Sequence, residues 1–312
     1  MTRTSAVLAR IKQIAAKIST LKPVRVFLNY TENRGPLMAA GLSFHAIFTA
    51  FAALWIGFAT AGLFLQEHPA LLEAFLDLIR TAVPGLISDG TSEGAVEPDD
   101  LLQPMVLNVT RIVAAIVLLF TALGWLDACR QAVRAIFELP PPSTGFLLLK
   151  LKDLGLAIAF SVAVIVSAAL SLFGAEGLSA ILSFIGISGD SFIAGVFGRI
   201  LGLTVMFALD ITVLAALFRI LAGVPIPAAR LLRGAFLGAV GLGLLKVLGN
   251  LLLGGATRNP LLASFAVIIG LLIWFNFVCQ VILASASWIA VDLADHRISI
   301  RPDATGDVGA DR

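Results

Sequence analysis

Charge is scarce in this sequence. Asp, Glu, Lys and Arg together make up 13% of its 312 residues, against about 25% in an ordinary soluble domain. So few charged side chains cannot cover a water-facing surface, and 59% hydrophobic content with a mean hydropathy of +0.98 excludes intrinsic disorder as well. There are 2 cysteines, 3 histidines and 1 tyrosine. Cys129 and Cys279 lie 150 residues apart in apolar stretches, which excludes a disulfide scaffold, a CxxC motif and a cysteine metal site. His45, His68 and His296 are far apart, and neither an HExxH nor a Walker A loop is present. The chain therefore reads neither as a zinc hydrolase nor, by itself, as an ATP-driven pump. No basic stretch interleaved with aromatics points to nucleic acid.

What the sequence does have is long apolar runs, and they predict an all-α, polytopic membrane helix bundle. Six transmembrane helices are expected at about 37–65, 106–128, 154–173, 200–222, 231–253 and 261–291, each long enough to cross about 30 Å of hydrocarbon with some tilt. Residues 1–36 form a basic N-terminal segment. Within it Leu8, Ile11, Ile14, Ala15, Ile18 and Leu21 recur every three or four residues among Arg10, Lys12 and Lys17. That pattern predicts an interfacial amphipathic helix over 5–21, held on anionic inner-leaflet lipid. Pro23 starts a second short segment, and Asn33-Arg34-Gly35-Pro36 reads as a turn. Residues 66–105 form an acidic outer loop with eight acids against Arg80 alone. It is expected to hold a short amphipathic helix through Leu71, Leu72, Phe75, Leu76 and Ile79, then a solvated stretch over 88–100. The apolar run 179–187 is too short to cross. Residues 292–312 form a polar tail.

Basic residues orient this map. With the N-terminus inside, inner segments carry 17 Lys and Arg and outer segments 4, and the net charges are +8 inside and −6 outside. The positive-inside rule then places both termini on the cytoplasmic side of the membrane.

The motifs, in order, resemble the YihY/BrkB family of bacterial inner-membrane proteins, formerly mislabelled ribonuclease BN, over roughly residues 25–295. Glu32-Asn33-Arg34-Gly35-Pro36 leading into Ala39-Ala40-Gly41-Leu42-Ser43-Phe44-His45-Ala46 is similar to the family's opening. Leu123-Gly124-Trp125 through Ala132-Val133-Arg134-Ala135-Ile136-Phe137 is a second stretch. Asn259-Pro260-Leu261-Leu262-Ala263-Ser264-Phe265, followed by Leu271-Leu272-Ile273-Trp274-Phe275-Asn276, is the third. The chain departs from many members in having Phe44 and His45 where they place tyrosines. It also has Ala284-Ser285-Ala286 near the last span's end, where they have Gly-Ala-Glu. The resemblance implies a role in the cell envelope, such as moving a lipid or another amphiphile, and no settled enzymology.

A few polar residues interrupt the spans. Asp210 sits at the centre of the fourth, where a carboxylate costs about 2.5–3.5 kcal/mol on insertion scales. Lys246 stands at comparable depth on the fifth. Either the two form a pair on a substrate or proton path, or they form a structural pair ordering two helices, or Lys246 snorkels outward. His45 is either a proton-responsive group or a neutral histidine hydrogen-bonded within the bundle. Asn250, Asn276 and Gln280 either line the same interior or act as interhelical glue. Glycines of the fifth span (Gly234, Gly238, Gly241, Gly243, Gly249) are expected to permit close packing.

Two functions from different classes follow. One is a transporter or translocator of a lipid or other amphiphile, with Asp210, Lys246, His45, Asn250, Asn276 and Gln280 as candidate path residues. The other is a non-transporting membrane scaffold or regulator. With no nucleophile–base pair or metal-ligand spacing, no enzyme, cofactor or metal is expected. The expected partners are membrane lipids. The sequence sets no oligomeric state.

Overall fold

The computed structural model describes residues 20–83, 86–88, 95–96, 109–142, 145–163, 166, 192–253 and 260–298. Helices account for nearly all of them. They are α1 (Lys22–Glu32), α2 (Gly35–Glu67), α3 (Pro69–Ala82), α4 (Val109–Ile136), α5 (helical over 146–163), α6 (Phe192–Ala216), α7 (Ala228–Leu253) and α8 (Pro260–Asp295). Ile87 and Val96 form one isolated parallel bridge. No strand forms among the described residues.

Among the described residues, four stretches are long and apolar enough to cross a membrane: Gly35–Leu54, Gly202–Leu221, Ala228–Gly249 and Ile268–Asp295. Six were expected. The second expected span, 106–128, coincides with α4 from residue 109 on, and 106–108 lie outside the described residues. The third is described only as far as α5 reaches, and the 5–21 and 179–187 segments lie outside the described residues. At 33 residues and 1.5 Å per residue, α2 is about 50 Å long, more than the hydrocarbon thickness.

Local chemistry sets the helix boundaries. Pro23 occupies the first turn of α1, where its missing N–H costs nothing. The helix stops at Asn33, whose side-chain Nδ2 donates to the Asn29 carbonyl at 3.0 Å. Arg34 then turns through a left-handed φ of 56°. Gly35 follows because a Cβ there would lie 2.1 Å from the Tyr30 ring and 2.6 Å from the Tyr30 carbonyl oxygen.

The bundle is organised around α8, which packs on α1, α2, α4 and α7, while α6 packs on α7. The reason is legible along α8. Leu271, Trp274, Phe275, Cys279, Ile282, Leu283, Ala286, Ile289 and Leu293 are buried, at the spacings of three and four that put residues on one helical face. Lipid tails are as apolar as leucine, so close packing rather than the hydrophobic effect must hold such helices together. Glycine supplies it. On α7 a Cβ at Gly234 would meet Ile289, at Gly238 Leu214 and Ser285, at Gly241 Val281, and at Gly249 Trp274. Gly243 faces open space and is outside this seam. Outward faces are apolar too: Leu203, Leu232, Phe236, Leu244 and Val247 are all exposed, as lipid-facing positions are.

The acidic loop is partly folded back. α3 is the expected amphipathic helix, and beyond it Leu86 and Ile87 are buried with Leu54, Leu76, Leu271 and Trp274. Ser88, expected in a solvated stretch, is buried. Its carbonyl accepts from Arg80 Nη2 at 3.0 Å, and its N–H donates to the Val96 carbonyl at 3.0 Å. The apolar pair preceding Ser88 needs cover, and that draws the chain inward.

Candidate functional site

Asp210 and Lys246 meet. The Lys246 ammonium donates to both carboxylate oxygens, at 2.9 Å to Oδ1 and 2.7 Å to Oδ2. The side chains remain 16% and 13% exposed. The pair bridges α6 and α7 within two stretches apolar enough to span a membrane. Its geometry follows from antiparallel packing: Gly238 of α7 sits against Leu214 of α6, one turn from Asp210, and the long lysine stem reaches back along α7 to the acid. The alternative in which Lys246 snorkels away is not the arrangement formed.

The other sequence candidates do not all join this pair. Asn276 and Gln280 are one turn apart on α8, and the Gln280 Nε2 donates to the Asn276 Oδ1 at 2.5 Å. His45 is exposed on α2 and meets Phe44 edge-on, with ring centroids 6.0 Å apart. Its neighbour Phe44 is also exposed while Leu42, Ser43 and Ala46 are buried, so His45 stands on the face of α2 that points out of the bundle. Asn250 lies on α7, with its side chain outside the described residues.

The most buried charges among the described residues are elsewhere, at the end of the bundle where α4, α6 and α8 finish and α5 and α7 begin. Arg130 is 1% exposed and Asp153 fully buried. Arg130 binds Asp153 through Nη2, Asp127 through Nη1 at 2.9 Å and the Leu221 carbonyl through Nε at 3.0 Å. One turn on, Arg134 Nη1 donates to the Ala222 carbonyl at 3.0 Å, and its Nε donates to the Pro140 carbonyl at 2.8 Å. Residues Leu217–Leu221 form a π-helical turn closing α6. Gly223, at φ 64°, and two prolines then separate α6 from α7. The carbonyls left over where a helix ends need partners, and here two arginines of α4 supply them. Burial raises the Asp153 carboxyl from its ordinary pKa, against the pull of Arg130 and Lys150.

A second polar cluster at the same end joins α1, α7 and α8. Asp292 accepts from Lys22 and from Arg230 Nη1, the latter at 2.5 Å. Asp295 accepts from Arg25 at 2.5 Å, and Ser287 Oγ donates to the Val26 carbonyl at 2.8 Å. His296 Nδ1 lies 2.9 Å from both Arg230 Nη1 and the Asp292 carbonyl oxygen. Sequence reading missed both clusters as sites, because Arg130, Asp153, Arg230 and Asp292 stand at helix ends where charge is ordinary. The one available signal was that Asp153 opens an apolar run. Among the described residues, no group of three or more His, Cys, Asp or Glu is placed to hold a metal.

Apolar helices, outward-facing leucines and charges paired between helices define a polytopic α-helical membrane protein. The chain matches the model of the family described as virulence factor BrkB over residues 26–305, and it belongs to that family. It is 24% identical over 273 residues to the inner membrane protein YhjD of Escherichia coli (strain K12), covering 86% of this chain and 79% of that one. It is 25% identical over 292 residues to an uncharacterised protein of Dickeya dadantii (strain 3937), covering 90% and 85%. No solved structure matches.

Proposed function

We propose that the chain is a bacterial inner-membrane transporter that translocates a lipid or another amphiphile, with Asp210 and Lys246 on its polar path. The observation that carries this reading is the pair itself. Two opposite charges are bonded inside apolar helices, yet neither side chain is sealed away. A pair kept only for packing could be replaced by apolar side chains at little cost. A pair left partly open offers a charged or zwitterionic headgroup both an anion and a cation to exchange with. The inner-membrane assignment is supported by the basic excess at one end of the bundle and by the description of the Escherichia coli relative as an inner membrane protein. In this reading both termini are cytoplasmic, the partners are lipids, anionic inner-leaflet lipid binds the 5–21 segment, and no enzymatic step is involved.

Reconstitution tests it. Protein in vesicles carrying a fluorescent phospholipid should expose inner-leaflet label to a membrane-impermeant quencher faster than empty vesicles do. Asp210→Asn and Lys246→Met should each slow that exposure. Folded variants that match the wild type would overturn the role of the pair. A non-transporting scaffold is the second reading, favoured by the arginines that tie α4 to the α6–α7 link, and it predicts no exposure by any form of the protein.

A further inference from the structure

We propose that α1 is an interfacial helix seated in the headgroup region of the leaflet at the basic end of the bundle. Its outward apolar face meets lipid, and the basic residues around it meet anionic headgroups. The inference rests on the chain being a membrane protein and not on its being a transporter. It is separate from the 5–21 segment.

The position of α1 is fixed by its contacts. Val26 and Tyr30, one turn apart, are its buried residues. Lys22 and Arg25 bind Asp292 and Asp295, and the Lys22 ammonium lies 4.6 Å from the ring centroid of Trp288. These partners occupy the last turns of α8, where its apolar span finishes. A two-residue turn at Asn33 and Arg34 then leads into α2, where the first apolar span begins. Thus α1 lies at the depth where two spans meet the boundary, beside a tryptophan, a side chain that favours that depth.

The outward face is apolar where water would favour polar groups. Around a helix at 100° per residue, Val24 and Leu28 fall on the side away from Val26 and Tyr30, and Phe27 extends that apolar arc along the flank. Phe27 is 63% exposed and Leu28 41%, and Leu37 at the start of α2 is 69% exposed. Thr31 lies within this apolar arc, and its hydroxyl bonds back to the Phe27 and Leu28 carbonyls; polar side chains resume beyond Leu28, at Glu32. Arg34, Arg219, Arg233 and Arg297 are exposed at this end. They belong to the segments that hold 17 of the 22 Lys and Arg. An apolar stripe flanked by that excess of positive charge complements an anionic leaflet. Glu32, exposed at the end of α1, marks its aqueous edge.

Spin labels on the full chain in nanodiscs test this, at Phe27→Cys, Leu28→Cys and, as the aqueous control, Glu32→Cys. Both native thiols are buried, so the introduced cysteine is the reactive one. Labels at 27 and 28 should be open to oxygen and protected from a water-soluble nickel chelate, and the label at 32 open to the chelate. That protection should be greater in anionic than in neutral phospholipid, and should weaken with salt, because screening removes the electrostatic part. Access of the chelate to 28 equal to that at 32 would mean a water-facing helix and overturn the proposal. Protection from both reagents would put protein on the face, either a second copy or residues 1–19, and would also overturn it. Depth indifferent to lipid charge would overturn the headgroup contact. The two labelled positions are independent, so loss of folding in one variant leaves the other to decide.

Discussion

Lys246 and Asp210 bond across two helices, so each is a buried charge with one partner, and truncating either strands the other. Breaking such a pair costs about 3–5 kcal/mol when the survivor stays buried, and the partial exposure of this pair places it toward the low end. Lys246→Met alone should therefore lower the unfolding midpoint in detergent or bilayer. Lys246→Met with Asp210→Leu should recover much of that loss, and translocation should stay low. A double-mutant cycle measures the coupling, and additive effects would refute the pair. Arg130 presents a harsher case, because Asp153 beneath it is fully buried. Arg130→Ala should cost about 3–5 kcal/mol, more than any exposed arginine such as Arg233. Thermal unfolding of the two variants side by side checks this. Sequence alone pointed to Asp210 because an acid at mid-span is costly enough to need a partner, whether on a path or in the architecture. It pointed only weakly to Asp153, through the apolar run that Asp153 opens, because its burial depends on α5 folding back over α4, a contact 23 residues apart in the chain.

Among elements, α7 offers the sharpest contrast, since five glycines on one helix do different things. A Cβ at Gly249 would sit 2.2 Å from the rigid Trp274 ring, whereas one at Gly243 meets nothing within 4 Å. Gly249→Ala should destabilise by about 1–3 kcal/mol through overpacking. Gly243→Ala should be neutral or stabilise by up to about 1 kcal/mol through helix propensity. Chemical unfolding of the two variants reads the difference. The glycine pattern was legible in sequence as a packing surface. Which glycine was idle was not, because that depends on the angle at which α8 crosses α7. Likewise α3 was legible from the period of Leu72, Phe75, Leu76 and Ile79. The inward course of residues 86–88 was not, since it is set by cover for Leu86 and Ile87 against α2 and α8.

For the molecule as a whole, the all-α membrane class was written in composition, because nothing else reconciles so much apolar surface with so little charge. The proposed orientation rests on the loops: 17 basic residues in the expected inner segments against 4 in the expected outer ones. The expected outcome is that a cysteine introduced at Ser92 reacts with a membrane-impermeant reagent added outside, and one at Ser299 reacts only once the inner membrane is opened. The reverse pattern would invert the topology. The number of crossings was less legible. Apolar length alone does not distinguish a helix that crosses from one that ends within the bundle, and four described stretches meet the length and apolarity needed.

The π turn at Leu217–Leu221 gives α6 a surplus residue, and a surplus residue in a helix is a change of phase. Upstream of it, the helix must aim Asp210 at α7. At its end and just beyond, it must aim the carbonyls of Leu221 and Ala222 at the arginines of α4. A regular helix offers a fixed angle between two such positions, whereas the wide turn makes that angle adjustable. Shortening the chain by one residue there would rewind the turn to a regular helix and set the two demands against each other. Either the ion pair would be kept and the arginines would lose their carbonyls, or the reverse. The turn therefore acts as a phase adjuster, through which one rod meets two neighbours that face different ways.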